Sequence, residues 1–523
     1  MSTERSSPID EKGHTEFQEV VPEQEPSGGL LSGWARKDHS DFFNEALQKY
    51  GDGHDLDPVR EKKLLRRIDY IILPQLAICY FFYYVDKTTL SYAAIFGIKT
   101  DLALDGDKYS WLSSVFYFGW LVWAMPSNLL MQRSPAGTYL AINIFFWGVF
   151  LMAQAGAKDF KDMVIFRIIS GAAESIADPA FMLITSMWYT RAEQPSRISI
   201  WYAANGIGVA GGGLIGYGIG HIQGALASWR YEFIVVGAVC AFWAICLLVF
   251  LPNSLATSRW FTRDDRMFLV ARVAKNQTGI ENRKIKWDHV TDFFTDIKSY
   301  MFFLLGLVAN IPNGGISNFS TLIIKGLGFD TFHTSLLGIP QGVLVVIWIG
   351  AGAILNGRLP NNSRTIVCML FMVPTICGCL GFLLAPHDAY VGRLICFYLT
   401  GSYQASFVLA LSLITSNVGG QTKKQLTSAI IWMGACIGNV AGPFFFRSEQ
   451  GPSYPLGIGA MLVSNCIELL IFVAFRFVFV MENRKRDKAA AAAEVGDQKV
   501  PSENATAFAD LTDRQNINFR YVY

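Results

Sequence analysis

Charge is scarce in this chain. Of its 523 residues, 16% are Asp, Glu, Lys or Arg, whereas about 25% is usual in a soluble domain. The 44 Lys and Arg nearly balance the 42 Asp and Glu, so no basic field is present to recruit nucleic acid. Apolar and aromatic residues make up 52%, more than a soluble core of this length can bury. These proportions exclude a soluble enzyme, a disordered protein and a nucleic-acid-binding protein, and they favour a protein embedded in a lipid bilayer.

Motifs for covalent chemistry are also missing. No G-x-x-x-x-G-K-[ST] phosphate loop occurs, and the 7 His form no nucleophile–His–acid arrangement. The 9 Cys fall inside apolar runs, where Cys behaves as a small buried residue. We therefore expect no enzyme activity, no cofactor and no metal. Because residues 1–66 are polar, we also expect no cleavable signal peptide.

Long apolar runs are what the chain has instead, and a transmembrane helix needs about 20 mostly apolar residues. Such runs lie at 68–93, 109–131, 136–156, 160–187, 197–220, 231–251, 299–323, 333–356, 365–385, 389–414, 426–446 and 456–480. We predict an all-α membrane protein with twelve transmembrane helices in two six-helix halves. The predicted division is an N-terminal tail (1–66), a six-helix bundle (67–251), a central loop (252–298), a second bundle (299–480) and a C-terminal tail (481–523), with both tails polar and disordered.

Positive side chains concentrate near the termini and after each even-numbered run. Arg66 and Arg67 precede the first run, and the stretch 252–298 is rich in Lys and Arg. Cytoplasmic loops carry an excess of these residues in membrane proteins. We therefore predict that both termini and the central loop are cytoplasmic, and we expect a monomer in the plasma membrane.

Glycine ladders repeat between the two halves. The ladders occupy every fourth position in the fifth and eleventh runs: Gly208, Gly212 and Gly216, then Gly434, Gly438 and Gly442. A feature of run n that returns in run n+6 predicts two halves in parallel repeat, which rock around a site at the membrane midplane. We assign these glycines a structural and gating role, because small residues let helices approach closely.

Charged residues at membrane depth are costly and mark functional sites. The fourth run contains Arg167, Glu174 and Asp178, which share one face at about 100° per residue. We predict that Arg167 binds a substrate carboxylate through its planar guanidinium and that Glu174 and Asp178 couple transport to protons. A static ion pair between Arg167 and either acid is the alternative, and Asp178, which precedes Pro179, is also placed to cap a broken helix.

Polar and aromatic side chains in other runs complete the predicted cavity. In the first run, Tyr83 is a predicted substrate contact, Asp86 a proton-coupling residue and Lys87 a gating residue. The remaining predicted substrate-binding residues are Asn205, Asn310, Asn313, Tyr403, Gln404 and Trp432. Structural bridging between helices is the alternative for each asparagine.

Several short motifs occur in a fixed order along the chain. They are Tyr84-Val-Asp-Lys-Thr-Thr-Leu-Ser-Tyr-Ala, Tyr109-Ser-Trp-Leu-Ser-Ser-Val-Phe-Tyr, Pro126-Ser-Asn-Leu-Leu, Arg167…Gly171-x-x-Glu174…Pro179, Met187-Trp-Tyr-Thr, Ser416-Asn-Val-Gly-Gly-Gln-Thr-Lys-Lys, Gly438-Asn-Val-Ala-Gly-Pro443 and Pro452-x-Tyr454. Over residues 60–485, this set resembles the fungal anion:cation symporter branch of the major facilitator superfamily, the allantoate permease family. The resemblance implies the major facilitator fold and uptake of small organic anions with protons; allantoate, ureidosuccinate, nicotinate, pantothenate, biotin and cysteine are substrates in that family.

Arg167 and Glu174 match an Arg and a Glu seven residues apart in the fourth helix of more distant relatives, the sialin and vesicular glutamate transporters. Those relatives carry a second cavity Arg in helix 7, where this chain has Asn310 and Asn313. The superfamily's Asp-Arg signature after helix 2 is reduced to Gln132-Arg133. These departures leave the substrate open.

We predict proton-coupled uptake of a small organic anion, such as an allantoate-like, ureido or vitamin-type carboxylate. Export of a small metabolite is one alternative, although the fifth run lacks the Gly-Pro pair common in facilitator antiporters. A nutrient sensor that binds without transporting is the other alternative, although the tails have ordinary lengths. The predicted partners are the anionic substrate, protons and the lipid bilayer.

Overall fold

The computed structural model is helical throughout the part of the chain that it describes, and no strand occurs there. The described residues are 40–50, 56–190, 193–222, 224–274, 286–360, 362–495, 511–516 and 519–523. Long helical segments follow one another at the positions of the twelve apolar runs, and we number them helix 1 to helix 12.

The first six segments are helix 1 (Pro58–Ile95), helix 2 (Lys108–Arg133), helix 3 (Ala136–Gln154), helix 4 (Phe160–Glu174 and Ala177–Trp188), helix 5 (Gln194–Gly220) and helix 6 (Ser228–Phe250). The last six are helix 7 (Ile297–Gly326), helix 8 (Thr331–Leu336 and Gly338–Arg358), helix 9 (Arg364–Leu384), helix 10 (Tyr390–Leu399 and Tyr403–Asn417), helix 11 (Gln421–Ala441) and helix 12 (Pro455–Val495). Shorter helices lie outside them at Ser40–Tyr50, Ile98–Asp101, Arg263–Ala274 and Trp287–Thr295. Helix 10 contains a 3-10 turn at Thr400–Ser402, and two more follow helix 11 at Gly442–Phe445 and Ser448–Gln450.

Eleven of these segments are long and apolar enough to cross a membrane. Helix 2 is not among the eleven, since serine, tyrosine and tryptophan side chains interrupt its apolar residues. Two of those polar groups, Tyr109 and Ser110, bond to the last six helices, as described below. Helix 2 therefore lies within the bundle although its composition is less apolar than that of its neighbours.

Helices 1 and 12 extend beyond the predicted bundle boundaries. Helix 1 begins at Pro58, where the side chain of Asp57 accepts a hydrogen bond from the backbone N–H of Val59 (3.0 Å). Helix 12 continues to Val495 through a run of alanines, which are strong helix formers. The helix at Ser40–Tyr50 and the packed segments at 511–516 and 519–523 also show that the prediction of disordered tails is wrong for these segments.

A buried arginine connects the starts of helices 1 and 5 to the central loop. Arg272, in the loop helix Arg263–Ala274, has no exposed surface. Its Nε donates to the Glu61 side chain of helix 1 at 2.8 Å, and its Nη2 donates to Glu193, just before helix 5. The predicted central loop therefore has helical structure that packs against the bundle.

The two glycine ladders pack against different neighbours. A Cβ added to Gly438 would lie 2.2 Å from the carbonyl oxygen of Leu307 in helix 7, and the contacts at Gly434 and Gly442 are to helix 7 carbonyls as well. In helix 5, a Cβ at Gly208 would lie 2.6 Å from a helix 1 carbonyl, whereas Gly212 and Gly216 meet helix 1 side chains. Helices 7 and 11, and helices 1 and 5, thus approach as closely as glycine permits.

The first six helices meet the last six through hydroxyl groups near one end of the bundle. The Oγ of Ser91 in helix 1 and the Oγ1 of Thr321 in helix 7 are 2.8 Å apart. At the start of helix 2, the hydroxyl of Tyr109 donates to the carbonyl of Asn318 (2.6 Å), and Ser110 donates to that of Pro443 (3.1 Å). These contacts lie on the side of the bundle opposite the N-terminal end of helix 1.

Candidate functional site

A central cavity lies between the first six and the last six helices. Its lining is mostly aromatic and amide, with one cation and one acid. The lining residues are Tyr80, Tyr83, Tyr84, Lys87, Tyr117, Trp120, Asp178, Tyr202, Ala309, Asn310, Asn313, Tyr403, Gln404, Phe407, Trp432, Ala435, Cys436 and Asn439. Both charged residues come from the first six helices, so the two sides of the cavity differ in chemistry.

Asparagines from helices 7 and 11 form a connected network on the neutral side. Asn313 Nδ2 donates to Asn439 Oδ1 (2.9 Å), and Asn439 Nδ2 donates to Asn310 Oδ1 (3.1 Å). The hydroxyl of Tyr403 lies 3.4 Å from Asn313 Oδ1. Because these amides hold one another in place, they present a fixed set of neutral hydrogen-bonding groups to the cavity.

Lys87 is the cation of the central cavity. Its ammonium lies 4.1 Å from the ring centroid of Tyr83 and 5.1 Å from that of Tyr84. The Tyr83 hydroxyl donates in turn to Asp178 Oδ2 (3.1 Å). Lys87 makes no ion pair within 4.0 Å among the described residues, so its charge is held by aromatic faces and is open to a ligand. The gating role predicted for Lys87 is therefore not the only role that its position permits.

A smaller cavity adjoins the first and shares Lys87 and Tyr117 with it. It also contains Arg167, which is buried; its Nε donates to the carbonyl of Leu112 (3.2 Å), and its guanidinium lies 5.2 Å from the centre of the Phe116 ring. No acid among the described residues lies within 4.0 Å of Arg167, so the alternative of a static ion pair with Glu174 or Asp178 is wrong. The terminal nitrogens of the guanidinium have no protein partner in the described residues.

Two acids lie close to Arg167 in the interior of the first six helices. Asp86 Oδ2 accepts a hydrogen bond from Trp147 Nε1 (2.8 Å), and the other oxygen of Asp86 has no partner among the described residues. Glu174 is 1% exposed, and no N–H or hydroxyl donor reaches either of its oxygens there. The two carboxyl groups are near enough to interact electrostatically with each other and with Arg167. Arg167, Asp86 and Glu174 thus form one buried cluster of ionisable side chains.

The break in helix 4 separates the acids of this cluster from Asp178. The first part of helix 4 ends at Glu174 and the second begins at Ala177, with Ile176 at its N-cap position. Asp178 is therefore in the first turn and not at the cap, so the capping alternative is wrong, and its carboxyl faces the central cavity. The break itself agrees with the position of Pro179.

Residues 76–443 match the family model described as Major Facilitator Superfamily. The chain belongs to the major facilitator superfamily. The allantoate permease of Saccharomyces cerevisiae is 31% identical over 500 residues, which cover 92% of this chain and 91% of the permease. An uncharacterised transporter of Schizosaccharomyces pombe is 38% identical over 460 residues, covering 88% of this chain and 87% of that protein. The thiamine pathway transporter of Saccharomyces cerevisiae is 30% identical over 483 residues, covering 92% and 89%.

Solved structures show the same facilitator fold. A bacterial homolog of the human lysosomal transporter Spinster, in an inward-facing and unoccupied conformation, matches with a TM-score of 0.57 and 14% identity, over 86% of this chain and all of that one (100%). The xylose transporter XylE from E. coli, in a partially occluded inward open conformation, matches with a TM-score of 0.58 and 14% identity, over 79% and 99%. The predicted fold and the predicted allantoate permease family are confirmed, and the protein is a multi-pass membrane transporter and not an enzyme.

The facilitator's cavity brings together most of the predicted substrate-binding residues. Tyr83, Asn310, Asn313, Tyr403, Gln404 and Trp432 line it. Asn205 lies behind the lining, where it is buried and its Nδ2 donates to Gln404 Oε1 at 2.5 Å. Arg167 lines the smaller cavity, and Glu174 lines neither. The roles of all these residues in transport stay predictions.

Besides Tyr83, Tyr403 and Trp432, the lining contains aromatic residues that were not among the predicted site residues. On helix 1, Tyr80 lies three positions before Tyr83 and four positions before Tyr84, a spacing that places these side chains on one helical face. Tyr117 and Tyr202 reach the cavity from helices 2 and 5. The spacing on helix 1 was a usable signal, whereas nothing in the sequence separates the other tyrosines from ordinary packing aromatics.

Proposed function

We propose that this transporter takes up a small organic anion together with protons. The observation that carries the proposal is the position of Lys87 and Arg167. Both line adjoining cavities at membrane depth, and neither has an ion-pair partner within 4.0 Å among the described residues. Unpaired cations in a membrane interior are costly unless they bind an anion or line water. A substrate carboxylate supplies that missing charge.

The two sides of the central cavity support a substrate with two chemically different ends. A carboxylate binds toward Lys87 and Arg167, since a guanidinium can hold both carboxylate oxygens at once. A neutral polar end binds toward Asn313 and Asn439, whose amides are fixed by their network. Allantoate-like, ureido and vitamin-type carboxylates have this division, and allantoate permease is among the relatives.

Glu174 is the proposed proton-coupling residue. No N–H or hydroxyl donor among the described residues reaches either of its buried oxygens, and the side chain within hydrogen-bonding reach is the carboxyl group of Asp86, so these surroundings favour a protonated carboxyl at Glu174. Asp86 differs because Trp147 donates to it, and Asp178 differs because Tyr83 donates to it. Proton transfer at Glu174 changes the field at Arg167 and Lys87, which links proton binding to anion binding.

We further propose that the protein acts in the plasma membrane with cytoplasmic termini. In that orientation, the hydroxyl contacts of Ser91 and Tyr109 close the outer side between the two groups of helices. Substrate uptake requires these outer contacts to separate and re-form in each cycle.

The test is uptake of radiolabelled allantoate, followed by a panel of small carboxylates, in cells that overexpress the protein, with and without an uncoupler. We expect accumulation under an inward proton gradient that the uncoupler abolishes. Arg167→Ala should raise the KM strongly because it removes the guanidinium from the smaller cavity. Uptake by Arg167→Ala with unchanged affinity would contradict the anion site.

The proton step is tested separately with Glu174→Gln. We expect net proton-driven uptake to be lost while counterflow exchange of labelled for unlabelled substrate continues, because exchange needs no net proton movement. Glu232→Gln is the matched control: Glu232 is also buried with both oxygens unpartnered in the described residues, but it lines neither cavity. Loss of counterflow in Glu174→Gln would exclude a role limited to proton coupling.

A further inference from the structure

The C-terminal segment, residues 511–516 and 519–523, packs against helices 7, 10, 11 and 12 at the ends that lie beside the central loop, which we call their inner ends. Two asparagines pair with the backbone of consecutive residues in this segment. Asn483 of helix 12 donates to the carbonyl of Tyr521 and accepts from its N–H, both at 2.9 Å. Asn417 of helix 10 does the same for Val522, at 2.8 and 2.7 Å. Paired donor and acceptor contacts of this kind recognise an extended backbone as a neighbouring strand does.

Tyr521 anchors the segment with its ring and its hydroxyl. The ring is 1% exposed and stacks on Phe479 of helix 12, with centroids 5.3 Å apart. The hydroxyl donates to Asp513 Oδ2 (2.6 Å) and accepts from Lys298 Nζ (2.8 Å). A single side chain therefore joins helix 12, helix 7 and the other part of the C-terminal segment.

Asp513 completes a buried ionic cluster. Lys423 Nζ lies 2.7 Å from Asp513, 2.6 Å from Asp296 and 3.0 Å from Asp292. Lys298 Nζ lies 3.0 Å from Asp513 and 3.2 Å from Asp296. Burial acts to raise the pKa of Asp513, but the adjacent Lys298 and Lys423 outweigh it and hold that pKa below its usual range.

The cluster joins the inner ends of the two helices that carry the amide network. Asp296 caps helix 7, where its side chain accepts from the N–H of Lys298 (3.1 Å), and Lys423 lies in the first turn of helix 11. Asn310 lies further along helix 7, about 18 Å from Lys298 at a rise of 1.5 Å per residue. Because the two helices touch backbone to backbone at Gly438, a change in their separation at the inner end extends to the cavity.

The ionic cluster does not depend on Asp513 for charge balance. With the C-terminal segment removed, Lys298 and Lys423 still face Asp296 and Asp292, which lie on helix 7 and the loop helix before it. The lysines thus keep partners in either state. That property distinguishes a contact that can open and close from a permanent part of the core, where loss of one charge leaves another unpaired.

We propose that the C-terminal segment is a releasable latch for helices 7 and 11. When docked, it holds their inner ends together and keeps the neutral side of the central cavity in one arrangement. When released, it frees those ends and loosens the cavity. The latch acts on these helices whichever substrate the transporter carries.

The test is hydrogen–deuterium exchange with mass spectrometry on the full-length protein in detergent. Asp513→Asn removes the charge at nearly constant size, and Tyr521→Phe removes the hydroxyl while keeping the stacked ring. The matched control is Asp487→Asn, because Asp487 is 65% exposed and its ion pair with the C-terminal segment, to Arg520 (3.3 Å), lies at the surface. Elution as a single monodisperse peak shows that each variant is folded.

For Asp513→Asn, we expect at least tenfold faster exchange in the C-terminal segment, with faster exchange in helices 7 and 11 as far as Asn310 and Asn439. Tyr521→Phe should change the same peptides to a smaller extent, and Asp487→Asn should match wild type. Faster exchange in the segment with helices 7 and 11 unchanged at the depth of the cavity would overturn the proposal. So would wild-type exchange of the segment in both Asp513→Asn and Tyr521→Phe.

Discussion

A single methyl group at Gly171 should separate helices 2 and 4 and disturb the predicted anion site. A Cβ added to Gly171 would lie 2.0 Å from the carbonyl oxygen of Phe116, whereas ordinary contact begins at 3.4 Å. The shortfall is about 1.4 Å. Because the opposing atom belongs to the backbone of helix 2, the strain cannot be relieved by turning a side chain. The two helices have to move apart.

The movement has a direct consequence for Arg167. Arg167 and Leu112 lie one turn before Gly171 and Phe116 on the same two helices, and the Arg167 Nε–Leu112 O hydrogen bond is already 3.2 Å long. Overpacking costs about 1–3 kcal/mol, and loss of a hydrogen bond to a charged group costs about 1.5–3 kcal/mol. We expect Gly171→Ala to destabilise the folded protein by about 3 kcal/mol and to raise the KM for the transported anion.

The measurement is thermal denaturation of purified protein in detergent, followed by size-exclusion chromatography, together with uptake kinetics. Gly218→Ala is the matched control, since no heavy atom lies within 4 Å of a Cβ at that position of helix 5. Alanine is the better helix former by about 1 kcal/mol, so Gly218→Ala should melt at or slightly above the wild-type temperature. If Gly171→Ala melts with the control and keeps the wild-type KM, the reasoning about this helix contact is refuted.

Three further predictions concern buried polar groups. Trp147→Phe removes the donor to Asp86, and we expect a loss of about 1.5–3 kcal/mol in thermal denaturation and slower proton-driven uptake. Arg272→Met leaves the two glutamates that it joins without their cation and should lower the melting temperature, with Arg272→Lys restoring only part of the loss because lysine lacks the planar fork. Docking lowers the pKa of Asp513, so docking should be fully favoured above the usual aspartate pKa of about 3.9. The segment should be released as the pH falls through the lower pKa that Asp513 has when docked. The anisotropy of a dye at the C-terminus, measured from neutral to strongly acidic pH, will show this release.

The helices were predictable because the bilayer constrains them strongly. About 20 apolar residues are needed to cross it, and the apolar runs stand out from a chain with few charges. The ends of helices 1 and 12 were not predictable by the same rule, because beyond the membrane a helix continues as far as capping and helix propensity allow. Asp57 caps the N-terminus of helix 1, and the alanines before Val495 extend helix 12 at its C-terminus.

The glycine ladders show a second limit on what the sequence alone predicts about helix packing. Their regular spacing indicated close helix approach, but it did not identify the partner helix, which depends on tertiary packing. An added Cβ would lie closer to the neighbouring helix at Gly171 than at Gly438, at 2.0 against 2.2 Å, although Gly171 belongs to no ladder. A single glycine carries no periodic signal, so only the three-dimensional structure reveals that its missing side chain matters.

The asymmetry of the cavity follows from how the two groups of helices contribute to it. Arg167, Asp86 and Glu174 were predictable as interior residues because ionisable groups are rare at membrane depth. Their separation from the central cavity was not predictable, because a helical face specifies direction but not the neighbour that fills it. Lys87 links the two cavities, since it lines both of them and acts electrostatically on Glu174 and Asp178. An anion at Lys87 therefore changes the field at both carboxyl groups, so one cation connects the proposed substrate site with the proposed proton site.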